Sequence, residues 1–443
     1  MKRQRLIVLS TFLFAASGCL VFACSSGDDA STGDGGPDAK VDSTSPDSGN
    51  KDAGKDGTVT FDAGGDATVQ DSGGDSTVED AGDAGDAGED ADADDGAVTD
   101  AETDGGTVAT FMVLRVGGDV DAGADAALSG ASTQAYLEQR NLSDGSLVQT
   151  IALPIAINGS NQPITFSGNS TAEGAVALSA DGHYVIVAGY GSAPGVATIK
   201  STATDAGVPR IVARVDKNGA VDTTTELLAY TKTNIRGATS SDGTSFWAVG
   251  AGNSSEGPQY ALLGSDGGSV NLSTQLANIR VAEIFDGQLY ISSGSGAFHG
   301  VSMVGTGLPT TSGQTIALLP GMPGDAGSAY GFSMLDQDGA VSGLDVLYIA
   351  DDNNNGTNGG IQKWVFDGAS WTKIATFTDG TTSGYRGLAA YPSGNDIIVL
   401  GTTGDGMTVV KYVDDGTNTS PTGTAIATAL TNTAYRGIAL SPQ

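Results

Sequence analysis

From residue 110 onward, short apolar runs alternate with Gly- and Asp-rich punctuation, and the alternation recurs. Arg236-Gly237-Ala238-Thr239-Ser240 precedes Ser245-Phe246-Trp247-Ala248-Val249, and Tyr385-Arg386-Gly387-Leu388-Ala389-Ala390 precedes Asp396-Ile397-Ile398-Val399-Leu400. In each copy a small strand opens at a Gly, a tight turn follows, and a second, more apolar strand returns. Taking the Gly as the mark of an innermost strand gives Gly174, Gly237, Gly331, Gly387 and Gly437. Val281 holds the third place, because Asn278-Ile279-Arg280 before it repeats the Asn234-Ile235-Arg236 before Gly237. Three further strand patterns follow each mark, with period-two or continuous β-branched character. Asp-Gly turns at Asp144-Gly145, Asp266-Gly267, Asp367-Gly368 and Asp415-Gly416 are placed to join third and fourth strands.

Four antiparallel strands recurring about every 50 residues predict the blades of a β-propeller. The last copy, Tyr435-Arg436-Gly437-Ile438-Ala439-Leu440, stops after one strand. Its three missing partners match Thr110–Val116, Gln134–Arg140 and Leu147–Leu153 at the other end of the domain. The expected architecture is therefore an all-β, six-bladed propeller, closed by one C-terminal and three N-terminal strands so that no sheet edge is left open.

Charge divides the chain. Residues 25–107 carry 24 acids against three lysines in a background of Gly, Ala, Ser and Thr. Such a segment buries too little apolar surface to offset its backbone entropy, and it reads as a disordered acidic tether of roughly 50 Å end to end. Residues 108–443 hold 28 acids and 14 bases. An acidic head is a poor partner for nucleic acid or anionic lipid.

The first 23 residues have a basic start, Met1-Lys2-Arg3-Gln4-Arg5, and an apolar stretch from Leu6 to Ala23. That pattern predicts an export signal. Both cysteines lie at its end, each after small residues, as in a bacterial lipidation box. Cys24 is the expected lipidated residue, since the polar tract begins immediately after it, and Cys19 is the alternative. The divisions are then 1–23 signal, 24–107 lipidated Cys and tether, and 108–443 propeller. The expected location is the cell envelope, at the outer membrane or cell surface, with the membrane touched through the lipid alone and the head a monomer.

Propeller geometry places the residue before each innermost strand around one mouth of the central channel. Those residues are Glu173, Arg236, Arg280, Tyr330, Arg386 and Arg436. Four converging arginines in an acidic head admit two readings: latches onto the neighbouring blade, or a mouth that binds an anion. Insertions at 117–133, 189–209 and 351–360 are expected on the same face. One of them carries calcium-like spacing, with Asp351, Asn353 and Asn355 as oxygen ligands, Gly356 at the turn and Gln362 at the twelfth place. Neutral side chains at three of those four positions leave it short of charge. His183 and His299 are too few for a histidine metal cluster, and Trp247, Trp364 and Trp371 fall in strand positions.

The phrases Glu173-Gly174-Ala175-Val176-Ala177-Leu178-Ser179-Ala180-Asp181-Gly182, Ile235-Arg236-Gly237-Ala238-Thr239 and Tyr385-Arg386-Gly387-Leu388-Ala389 resemble those of exported bacterial β-propeller repeat lipoproteins of unassigned activity. More loosely, the chain is similar to cell-surface propellers in which Ser-Asp-Gly turns follow an inner strand. The expected function is a surface-tethered recognition module whose loop-rich face takes a protein, glycan or small anion. The alternative is a six-bladed hydrolase, lactonase-like or phytase-like, which the resemblance class runs with channel-bound calcium.

Overall fold

The computed structural model describes residues 110–118, 127–324, 327–353, 359–379 and 383–443. Among them are the six blades of a propeller, each built on four antiparallel strands. Blade 1 pairs Ala434–Leu440 with Thr110–Val116, then Ala135–Asn141 and Leu147–Ala152, so strands from the two ends of the domain close the ring. The innermost strands of blades 2 to 6 are Val176–Leu178, Ile235–Ser240, Ala282–Phe285, Ala329–Leu335 and Tyr385–Ser393. In each blade the other three strands follow outward in chain order.

Strand periodicity explains how the ring holds together. Successive side chains of a strand point to opposite faces, and here both faces meet a neighbouring blade. Met112, Leu114 and Val116 pack towards blade 2 with Val185 and Val187, while Phe111 and Val113 pack towards blade 6 with Ile398 and Leu400. Ile186, Ala188 and Tyr190 turn the other way, onto Phe246 and Ala248 of blade 3. Six apolar clusters result, one for each junction between neighbouring blades. Fully burying each Val, Leu or Ile contributes about 1.5–3 kcal/mol, so the second strands, apolar on both faces, anchor the structure.

The innermost strands meet most closely at one level. A Cβ on Gly331 would lie 2.7 Å from the Leu388 nitrogen, and one on Gly387 would lie 2.8 Å from the Arg436 oxygen. A Cβ on Gly437 would overlap the Val176 nitrogen and approach the Ala175 carbonyl carbon to 2.7 Å. Only glycine fits such an approach. Blade 2 departs from the sequence reading here. The Ala175 amide donates to the Arg236 carbonyl at 2.9 Å, and the Gly437 amide donates to the Gly174 carbonyl at 2.9 Å. Ala175, not Gly174, therefore occupies the belt position, and Gly174, with φ +78°, stands where the other blades carry Arg or Tyr. Glu173 lies one residue further upstream.

Asp266-Gly267 also differs from its expected turn. The dipeptide pairs in parallel with Glu226 and Leu227, adding a short strap from blade 3 to the outer strand of blade 2.

Candidate functional site at the channel mouth

A β-bulge aims the mouth residues. Ile235 pairs with Gly250 and Gly237 with Val249, which leaves Arg236 as the extra residue, and Arg386 is extra in the same way between Tyr385 and Gly387. Tyr435 and Ile438 of blade 1, and Ala329 and Phe332 of blade 5, bracket equivalent irregularities around Arg436 and Tyr330. A bulged residue is released from the in-and-out alternation of the strand and can point elsewhere.

Each guanidinium is held by polar groups of another blade or loop. Arg236 donates to the Asn278 Oδ1 at 2.6 Å and to the Ile279 carbonyl at 3.2 Å. Arg280 donates to the Ser328 hydroxyl at 2.6 Å and the Ala329 carbonyl at 3.3 Å, with Asp352 3.6 Å away. Arg436 reaches the Gly168 carbonyl at 2.8 Å and the Tyr435 carbonyl at 3.1 Å. Arg386 forms the closest ion pair, through two nitrogens to Asp352 at 2.8 and 3.0 Å, and also donates to the Thr171 hydroxyl. The Tyr330 ring lies between two of these groups, 4.2 Å from the Arg280 guanidinium and 4.9 Å from that of Arg386. Cation–π contact of this kind fixes the planar groups as well as stabilising them.

Neutral acceptors position Arg236 and Arg436 without an ion pair, and they are also the nearest partners of Arg280, with the Asp352 carboxylate further off. Burial holds the Arg436 guanidinium down at about 10, with Glu173 pulling it back up and Arg386 pushing it further down. Burial likewise lowers Arg236, and Arg280 adds to the effect. Glu173 is buried, accepts hydrogen bonds from the Ser167 amide, the Tyr190 hydroxyl and the Asn234 amide, and is still pushed up by its burial.

Arg280, Arg386, Arg436, Glu173 and Tyr330 line one pocket at this mouth, with a cavity of about 30 Å³. That is room for one or two water-sized groups. Arg236 is fixed at the rim towards blade 4 and is not among the pocket's lining residues. The far end of the channel opens into a second cavity of about 210 Å³, lined by the later residues of the innermost strands. Glu283 borders both cavities.

The pattern of repeats did not single out Glu283. Its signal was present all the same: two residues beyond the belt, the other innermost strands carry Ala177, Thr239, Ser333, Ala389 and Ala439. A carboxylate among small residues at one repeat position marks a departure worth noticing.

The calcium-like spacing takes another form in the structure. Asp351 is buried on the second strand of blade 5, Val346–Asp351, and accepts hydrogen bonds from the Ser328 and Asn353 amides and from the Gln362 carboxamide at 2.7 Å. Gln362 stands on the next strand, opposite Ile349, and its oxygen accepts from the Trp364 indole. Both side chains thus use their oxygens within the blade. Asn355 lies outside the described residues, as do Cys19 and Cys24. Among the described residues, no group of three or more His, Cys, Asp or Glu is placed to hold a metal ion. His183 pairs with Asp181 at the surface at 2.9 Å, and His299 meets the Gly327 carbonyl at 2.8 Å. Trp247, Trp364 and Trp371 are buried in blade junctions.

No protein-family model and no curated protein matches the chain. Solved structures with a similar fold include apo AztD from Citrobacter koseri, 12% identical over 71% of this chain and 70% of that one, with a TM-score of 0.30. The β-propeller domain of Cps50 (Swd1) from Myceliophteria thermophila is 12% identical over 57% of this chain and 85% of that one, with a TM-score of 0.33. Hydrazine synthase from Kuenenia stuttgartiensis is 11% identical over 68% and 81%, with a TM-score of 0.31. The likeness extends to the fold alone, and the six-bladed count rests on the strand pairing above.

Proposed function

We propose that this protein is a binding module whose loop-rich channel mouth recognises a small anionic group, such as a carboxylate or phosphate. One observation carries the reading: three guanidiniums line a single small pocket, and two of them, those of Arg280 and Arg436, are oriented chiefly by neutral acceptors. Like charges held together in this way are preorganised for an anion, which gains charge-assisted hydrogen bonds without first having to align its donors. The acidic head would otherwise repel such a ligand, so affinity depends on the local field of the arginines.

Titration calorimetry of the full chain with phosphate, sulfate and acetate tests this reading. Saturable binding that weakens at least tenfold in Arg280→Gln is expected, because that change removes charge from the pocket and leaves the Arg386–Asp352 pair in place. No binding of any of the three anions, or equal binding by the variant, would refute it. We further propose that the head is displayed at the cell envelope through a lipid on Cys24 and the acidic tether. The reading is supported by the apolar leader and the small residues before that cysteine. Loss of lipid labelling in Cys24→Ser is the expected result, and persistent labelling would move the anchor to Cys19.

A further inference from the structure

The second cavity lies at the opposite end of the channel, and its chemistry is of the opposite sign. Leu178, Phe285, Phe332, Ile438 and Leu440 supply an apolar wall, with the Phe285 and Phe332 rings 6.0 Å apart. At its inner end, where it adjoins the arginine pocket, stands Glu283. The blades enclose this carboxyl, although it keeps contact with solvent along the bore. It has no hydrogen-bond or ion-pair partner among the described residues, and neither does the Ser333 hydroxyl that lines the same cavity. An unpaired carboxylate in an apolar enclosure is costly, and a matched cation removes the cost.

We infer that this cavity is a binding site for a small apolar amine, its ammonium group paired with Glu283 and hydrogen-bonded to Ser333, its apolar body against Leu178, Phe285 and Leu440. The site is distinct from the arginine mouth and does not rest on the reading given for it. Size supports the assignment, since a cavity of about 150 Å³ already admits a benzene ring, and this one is about 210 Å³. Charge supports the direction of approach. The arginine ring would repel an ammonium group from the other mouth, whereas the net acidity of the head attracts it to the apolar one. Burial pushes the Glu283 carboxyl well up, and a paired ammonium group would favour its ionised form.

The test is calorimetric titration of the full chain with 2-phenylethylamine, using 2-phenylethanol and phenylacetate as neutral and anionic analogues. The expected result is saturable amine binding, at least tenfold tighter than either analogue. Glu283→Gln should weaken amine binding at least tenfold while remaining folded, and Ser333→Leu, which fills the cavity and keeps Glu283, should abolish it. Equal affinity for amine and alcohol, undiminished binding by Glu283→Gln, or no saturable binding by the wild-type chain would each overturn the inference.

Discussion

The two ends of the channel solve the burial of charge in different ways. At the arginine mouth each charged group has a polar partner, Arg236 in Asn278, Arg280 in Ser328, Arg386 in Asp352, Arg436 in Gly168, and Glu173 in Ser167, Tyr190 and Asn234, while the Nε atoms of Arg236 and Arg280 have none. At the inner end of the apolar cavity, Glu283 stands without a partner among the described residues. These hydrogen bonds make the mouth part of the scaffold as well as a candidate site. The lone carboxyl contributes nothing of that kind to the scaffold. Deleting a charge should therefore have opposite effects on stability at the two ends.

The largest effect is expected at the belt between them. Gly437→Val places side-chain atoms against the Val176 backbone, where neither strand can yield without opening the ring. A loss of more than about 4 kcal/mol is expected, and no folded protein at 37 °C. A cooperative thermal transition close to the wild-type midpoint would show that the innermost strands are not packed as described. Next in size is Arg436→Met, which removes the donor to the buried Gly168 carbonyl and takes away a cation that compensates Glu173. Denaturant unfolding should register a loss of about 2–3 kcal/mol.

The smallest effect has the reverse sign. Burial raises the Glu283 carboxyl, which favours the protonated folded state. The stability this group contributes is complete below the ordinary carboxylate range and declines as pH climbs towards its raised folded value. Glu283→Gln should therefore raise the thermal midpoint by a few degrees at pH 7, and the gap should close as pH falls to about 4. A variant less stable than wild type at pH 7 would reveal a partner for Glu283 and erase the contrast between the two ends.

These two ends were not equally legible in the amino-acid sequence. The arginines were visible because the Arg-Gly pair is spelled alike in blade after blade, and the physical cause is shared: glycine for close approach, with the bulged residue before it turned out of the strand alternation. The same spelling misled in blade 2, where Glu173-Gly174 looks like Arg-Gly but the belt position is filled by Ala175, a shift that only the inter-blade hydrogen bonds reveal. Glu283 went unnoticed because its blade carries Val281 in place of the marker glycine and because its meaning depends on the small residues that face it from other blades. The calcium-like spacing failed to become a ligand loop for a local reason. Strand Gly360–Phe366 begins before the twelfth place, so Gln362 sits in a β-ladder beside Asp351.

The anion-binding mouth is tested most directly by the thermal midpoint of the full chain across a sulfate series at constant ionic strength, with chloride as the balancing salt. Sulfate binding to the folded state predicts a rise of several degrees that follows the logarithm of ligand concentration above the dissociation constant and is lost in Arg280→Gln. Identical midpoints in sulfate and chloride, or an equal rise in the variant, would contradict it.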